Sequence, residues 1–282
     1  MRSQWESFLQ NQGEWEGSFT HFSPKGEWVE DIPSVINIEG LNNNEAARLT
    51  LRRVVQNPKG GEPVVNELVR VYQSLGRDIL FFENGAFSQG SIQLAPFTEI
   101  GAEFGFIYQQ RRLRLVQLFN KERNLENITL IREKRKNSNF PERPPHTLDT
   151  LLGEWQGEAI TIYPDWRSPD TYATHLQLKL ENGGKVSQKL TWGTGINTQT
   201  ITSSARVEGS ILSFDESSQP IQVLLLPDGA SSTSPLQIEL RKPLFLEVGW
   251  LVESNQRQRM IRRYNEKGEW ASLTLVTEYK VD

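Results

Sequence analysis

GEWEG at residues 13–17 returns as GEWQG at residues 153–157, and the reading of that return decides the fold. Carried further, GEWEGSFTHFSP (13–24) runs without a gap against GEWQGEAITIYP (153–164), with Pro24 on Pro164. ILFFENGAFS (79–88) then matches VLLLPDGASS (223–232), LVQLFN (115–120) matches MIRRYN (260–265), and ITLIREK (128–134) matches LTLVTEY (273–279). The matches keep their order while the offset drifts slowly upward, which is the pattern of a duplicated domain rather than of chance. A period of about 140 residues is too long for a solenoid or propeller repeat, so each copy is a domain.

The length of 282 residues suits two domains. The junction KNSNFPERPPHT (136–147) is rich in Pro, Asn and Ser and reads as a linker. The expected organisation is a first domain at 1–136, a linker at 137–147 and a second domain at 148–282. Eight Trp, thirteen Phe and six Tyr supply material for two cores. The formal net charge of −4 argues against a general nucleic-acid binder. The absence of cysteine excludes disulfides, thiolate metal sites and a thiol nucleophile. No apolar run is long enough for a signal peptide or a membrane span, so the expected location is cytoplasmic.

Both copies read as short strands. RLTLRRV (48–54), ELVRVYQ (67–73), RLRLVQL (112–118), THLQLKL (174–180) and ASLTLVTEYKV (271–281) alternate with period 2. Turn signals such as NPKGGEP (57–63), ENGG (181–184) and PDG (227–229) separate them. Short helices are expected only before each GEW, at 3–10 and 147–152, with Thr147 as an N-cap. About eight strands in the first copy and eight to ten in the second suggest antiparallel meanders. Closing such a sheet into a barrel removes its edges; a β-sandwich is the alternative. The predicted fold is all-β, two tandem antiparallel barrels.

Gly13-x-Trp15 and Gly153-x-Trp155, each after a short helix, resemble the lipocalin and wider calycin signature. That resemblance implies a Trp plugging one end of the barrel, with an Arg from the last strand packed over it. Leu273, Leu275 and Thr277 form the more apolar face of their strand and are taken as inward. The repeat carries them onto Ile128, Leu130 and Arg132, making Arg132 the candidate to stack on the Trp. GEWQGEAITIYP is also similar to the opening of nitrobindin-like haem barrels. Those barrels use an axial His near the C-terminal strands; His21, His146 and His175 lie elsewhere, which speaks against haem. The whole chain resembles an uncharacterised tandem-calycin family of cyanobacteria and plastids, whose superfamily includes the phycobiliprotein lyases.

Candidate ligand residues follow. Met260, Arg262 and Tyr264 share a strand face, aligned with Leu115, Gln117 and Phe119. If that face is inward, Arg262 is a charge in an apolar barrel and needs an anionic partner, either an internal carboxylate or a ligand. The opposite register, with Ile261 inward and Arg262 solvated, stays open. Arg262, Tyr264, Gln117, Arg132, Trp15 and Trp155 are therefore the proposed ligand contacts, the two Trp being structural plugs first. The clusters RRLR (111–114), RQRMIRR (257–263) and REKRK (132–136) read as solvated outer strand faces, or as a basic stripe for an acidic protein partner. No metal-ligand spacing, nucleophile elbow or phosphate loop is present. The leading expectation is a non-enzymatic carrier of a small hydrophobic molecule of the bilin, carotenoid or fatty-acid class. A chromophore lyase or chaperone acting on an acceptor protein, and a ligand-free interaction module, are the alternatives.

Overall fold

The structure, a computed structural model, describes residues 2–57, 60–216 and 219–281. Two short helices, α1 (Gln4–Phe8) and α2 (Leu148–Leu151), precede the two GEW segments. Ser3 and Glu6 form a capping box on α1, and Thr147 caps α2 by accepting from the Thr150 N–H, as expected. The repeated Gly follows each helix at φ +112° for Gly13 and +118° for Gly153, a backbone that L side chains rarely adopt.

Among the described residues the first copy holds nine strands: β1 (Gly13–Phe22), β2 (Trp28–Leu41), β3 (Ala46–Val55), β4 (Val64–Tyr72), β5 (Ile79–Phe81), β6 (Phe87–Gly90), β7 (Ile100–Tyr108), β8 (Arg111–Phe119) and β9 (Leu125–Arg135). They form one curled antiparallel sheet in the order β4-β3-β2-β1-β9-β8-β7-β6-β5. The described residues of the second copy hold ten: β10 (Gly153–Ile162), β11 (Asp170–Leu180), β12 (Lys185–Gly193), β13 (Gln199–Glu208), β14 (Ile211–Phe214), β15 (Ile221–Leu225), β16 (Ala230–Ser234), β17 (Leu244–Glu253), β18 (Gln256–Tyr264) and β19 (Trp270–Val281). These close into a barrel. The tenth strand is β14, between β13 and β15. In the first copy residues 73–78 join β4 to β5 without a strand, and a seam stays open there.

The chain buries three main apolar clusters. One fills the first barrel around Trp15, Ile36, Ile38 and Phe81, closed below by Phe8 of α1. One fills the second around Trp155, Leu176, Leu178 and Leu212, closed below by Leu151 of α2. The largest lies between the copies and joins Phe104, Leu113, Leu115 and Leu130 to Val248, Trp250, Met260 and Leu273. The outer faces of β7–β9 and β17–β19 meet there. Contacts run in both directions, as at a two-fold dimer interface. Leu94 N–H donates to Gly268 O (2.7 Å) and Trp270 N–H to Ile92 O (2.9 Å). At the matching positions Ile238 N–H donates to Arg123 O (2.9 Å) and Leu125 N–H to Leu236 O (2.8 Å).

This packing reverses the inward assignment. Ile128 and Leu130, like Leu273 and Leu275, face the other copy. The neighbouring positions Glu133, Thr274, Val276 and Glu278 belong to the interior faces. An apolar strand face marks burial, and here the outer face is the more apolar of two buried ones.

Candidate functional site

Trp15 and Trp155 are fully buried beneath their barrels, and each indole N–H donates to a helix-end carbonyl, Asn11 O at 2.9 Å and Leu151 O at 3.0 Å. The Arg expected over Trp15 is present, but it is not Arg132. The guanidinium of Arg135 lies 4.0 Å from the Trp15 ring centroid and that of Arg112 4.6 Å away. Arg132 stands on the outer face, donating to Glu142 at 2.9 Å and to Thr20 Oγ1 at 2.9 Å. In the second copy Arg257 lies 4.7 Å from the Trp155 ring, and Lys280, which matches Arg135, lies 5.5 Å away.

Above each Trp sits the same charged quartet. In the first barrel Glu133 accepts from Arg112 Nε (2.7 Å) and Arg114 Nη2 (2.9 Å), and Arg114 also donates to Glu103 (2.7 Å). In the second, Glu278 accepts from Arg257 Nε (2.6 Å) and Arg259 Nε (2.9 Å), and Arg259 also donates to Glu247 (3.1 Å). Burial alone would raise the Glu133 carboxyl, but Arg112 and Arg114 outweigh it and hold it at about 2. Glu278 is lowered for the same reason by Arg257 and Arg259. Burial lowers Arg112 and Arg257, while the carboxylates on both sides raise Arg114 and Arg259.

The reading of RRLR and RQRMIRR as solvated faces is thus overturned: Arg111, Arg112, Arg114, Arg257, Arg259 and Arg262 are all buried. The signal that would have found the quartets is the duplication itself. Glu103, Arg112, Arg114 and Glu133 recur as Glu247, Arg257, Arg259 and Glu278, with the arginines on alternate residues of one strand.

Neither Arg262 nor its match Gln117 faces a barrel interior. Arg262 stacks 3.5 Å from the Trp270 ring centroid and donates to Tyr264 Oη (2.8 Å) and Ser91 O (3.0 Å). Tyr264 Oη donates to the same Ser91 carbonyl at 2.8 Å. Both residues lie in the seam between copies, so the anionic partner expected for Arg262 is replaced by neutral oxygens and an aromatic face. Ile261 is inward, yet Arg262 is not solvated, because the other copy covers it. None of Arg262, Tyr264, Gln117, Arg132, Trp15 and Trp155 lines either barrel cavity.

The first barrel encloses a cavity of about 410 Å³ beside the open seam, walled by residues such as Ile36, Leu49, Leu68, Tyr72 and Ile79, with Glu103, Arg112 and Arg114 on its polar side. The second encloses about 310 Å³, walled by Leu176, Leu190, Phe214, Ile221, Val223 and Ile261. An outer cleft of about 450 Å³ borders the second cavity, with Tyr172, Trp192, Arg263 and Thr274 lining both. None of the three histidines lines either barrel cavity. His21 bonds Thr129 (3.0 Å), His146 bonds Thr150 (2.7 Å) and His175 bonds Glu154 (2.7 Å). Among the described residues no group of three or more His, Asp or Glu is placed to hold a metal ion. Among the described residues no helix is long and apolar enough to cross a membrane.

Residues 1–138 match the model of the N-terminal domain of DUF3598, a domain of unknown function, and residues 142–281 match the model described as the C-terminal domain of biogenesis factor required for ATP synthase 1. No curated protein matches the chain. The crystal structure of a protein of unknown function from Nostoc punctiforme, of the DUF3598 family, is 52% identical over 100% of both chains, with a TM-score of 0.91. An S-type phycobiliprotein lyase from Guillardia theta is 8% identical, covers 48% of this chain and 90% of its own, and has a TM-score of 0.38. With the two antiparallel β domains, the matched N-terminal half and this full-length relative in agreement, the chain belongs to the DUF3598 family.

Proposed function

We propose that this protein is a non-enzymatic binding protein that holds a small, mostly apolar molecule in its second barrel. The observation that carries this reading is the second cavity, ringed by ten strands, walled by aliphatic side chains and bordered by a cleft with which it shares four lining residues. Its floor supports the same reading. Arg257 and Arg259 are already paired with Glu278 and Glu247, so an apolar chain enters without stranding a buried charge. Each methylene moved from water into such a cavity contributes about 0.8 kcal/mol. About 310 Å³ lies at the low end of ligand-site volumes. It suits an acyl chain, or one arm of a bilin or carotenoid with the remainder in the outer cleft. Native mass spectrometry with an absorption spectrum tests this, before and after incubation with a fatty acid, a bilin and a carotenoid. The expected result is one small-molecule mass that is lost on denaturation. A bare mass after all three incubations overturns the reading.

A second reading, a factor that acts on a protein partner, is favoured by the match of residues 142–281 to a domain named for ATP synthase biogenesis. On that reading the two barrels are a rigid platform, and the partner is a subunit of an assembling complex. Comigration of the ligand-free protein with isolated ATP synthase subunits in gel filtration supports it; separate elution of every subunit removes it.

A further inference from the structure

The duplicated copies keep the charged floor and differ at the opposite end. In the first copy half-buried Phe19 stands at that end, with the guanidiniums of Arg114 and Arg53 at 5.5 and 5.7 Å from its ring centroid. The strand pairings place Ala159 where the first copy has Phe19, Tyr172 where it has Ile32, and Trp192 where it has Arg53. The repeat places Arg263 where it has Leu118. A methyl group has replaced a benzyl group, and Ala159 lines the second cavity. Phe19 and Arg53 do not line the first, which lies instead beside the β4–β5 seam.

Arg263 is exposed and borders both the cavity and the outer cleft. It forms no ion pair with any described residue. The cleft also holds Asp170, whose carboxylate accepts the Tyr163 hydroxyl. Deeper in, Glu247 is engaged by Arg259. The guanidinium of Arg263 is thus a cation at this end with no ion-pair partner among the described residues, and the Asp170 carboxylate in the same cleft is engaged by a hydroxyl.

We infer that the substitution of Ala159 for Phe19 opens the second barrel at this end, and that Arg263 selects an amphiphile with an anionic head. The apolar chain lies in the cavity past Trp192, and the head, of carboxylate chemistry, sits in the cleft at Arg263. This rests on the binding reading above and names the ligand class for that site. It also distinguishes the two copies at this end, where the second has Ala159 and the first has Phe19.

The test uses the full chain and a polyene fatty acid whose fluorescence rises on leaving water, beside its methyl ester. The acid is expected to bind at least tenfold more tightly than the ester. Arg263→Gln should remove that advantage while leaving ester binding unchanged, and added salt should weaken only the acid. Ala159→Phe should abolish binding of both. Ala159→Leu, a smaller plug, should weaken both, and it keeps the test open if the Phe variant does not fold. Equal binding of acid and ester, or no effect of Arg263→Gln on a bound acid, overturns the head-group inference and leaves the carrier reading standing. Full binding by a folded Ala159→Phe or Ala159→Leu protein overturns the placement of the opening. Binding of neither probe overturns the inference together with the reading it rests on.

Discussion

Arg262 of the second copy points its Nη1 at Ser88 Oγ of the first, 3.3 Å away, and the matching residue returns the contact: Gln117 Nε2 of the first copy donates to Ser232 Oγ of the second at 2.8 Å. The interface between the copies is therefore part of the fold. Truncating Arg262 to Ala removes its hydrogen bonds to Tyr264 and Ser91 and its stacking on Trp270. The expected loss is about 2–4 kcal/mol, read as a lower urea midpoint. A midpoint unchanged from the parent would show that this cluster contributes nothing net.

A chain of residues 148–282 alone uncovers Trp250, Met260, Leu273 and Leu275, which the first copy buries. A patch of that kind on an isolated domain promotes association. Sedimentation velocity should show dimers or larger species at micromolar concentration, while the full chain stays smaller per copy. A well-folded monomeric half would contradict the shared core.

Glu133 is held at about 2 by two guanidiniums. Its folded-state value lies below the ordinary carboxylate value of about 4.3, so its contribution is present above that value and is lost as pH falls towards 2. Replacing it with Gln leaves Arg112 and Arg114 sharing only Glu103 in a buried site. The cost should be about 3–5 kcal/mol at neutral pH and should shrink in acid. A constant deficit from pH 7 to pH 3 would argue against this pairing.

His146 is buried, with Arg257 and Lys280 nearby, and burial first, then those cations, lower it to about 3. The unfolded chain takes up a proton near pH 6.5 that the folded protein refuses. Stability is therefore full above that pH and falls as the pH drops from there towards 3. Between pH 7.5 and 5 the loss should be about 2 kcal/mol, and His146→Asn should remove it. Chemical denaturation of both proteins at the two pH values decides the matter; parallel losses would rule His146 out as the source.

Gly157 lies where an added Cβ would come 2.1 Å from Thr277 O, and Gly17 where it would come 1.9 Å from Arg132 O. The first strand of each copy passes so close to the last that only hydrogen fits. Gly157→Ala should lower stability by about 1–3 kcal/mol or more through the forced backbone shift. Thermal unfolding of the variant checks this, and an unchanged midpoint would mean that the strands separate freely.

Much of the architecture was legible because it depends on local pattern. The duplicated GEW segments located both first strands, both helices and both plugging Trp residues. The Thr147 cap needed only its own neighbours. Strand faces were not legible, since period 2 says which residues share a face and not which face looks inward. Along β18 the apolar side of Met260 and Tyr264 looked like a barrel lining, but it packs on the other copy. The Arg257 and Arg259 side looked like solvent surface, but it forms the buried floor. Arg262, Tyr264, Gln117 and Arg132 lie away from the cavities because of that one inversion, whereas Trp15 and Trp155 are the plugs that the GEW segments implied.

From its sequence alone this protein is an all-β tandem repeat, because strand alternation, turn residues and a 140-residue duplication are written along the chain. Only the tertiary structure decided where the charges go. A buried arginine is stable when a carboxylate or an aromatic ring from a distant strand meets it, and that meeting is set by sheet closure and by docking of the two copies. Arg112 finds Glu133 across neighbouring strands, Arg262 finds Trp270 at the interface, and Arg263 faces the open cleft.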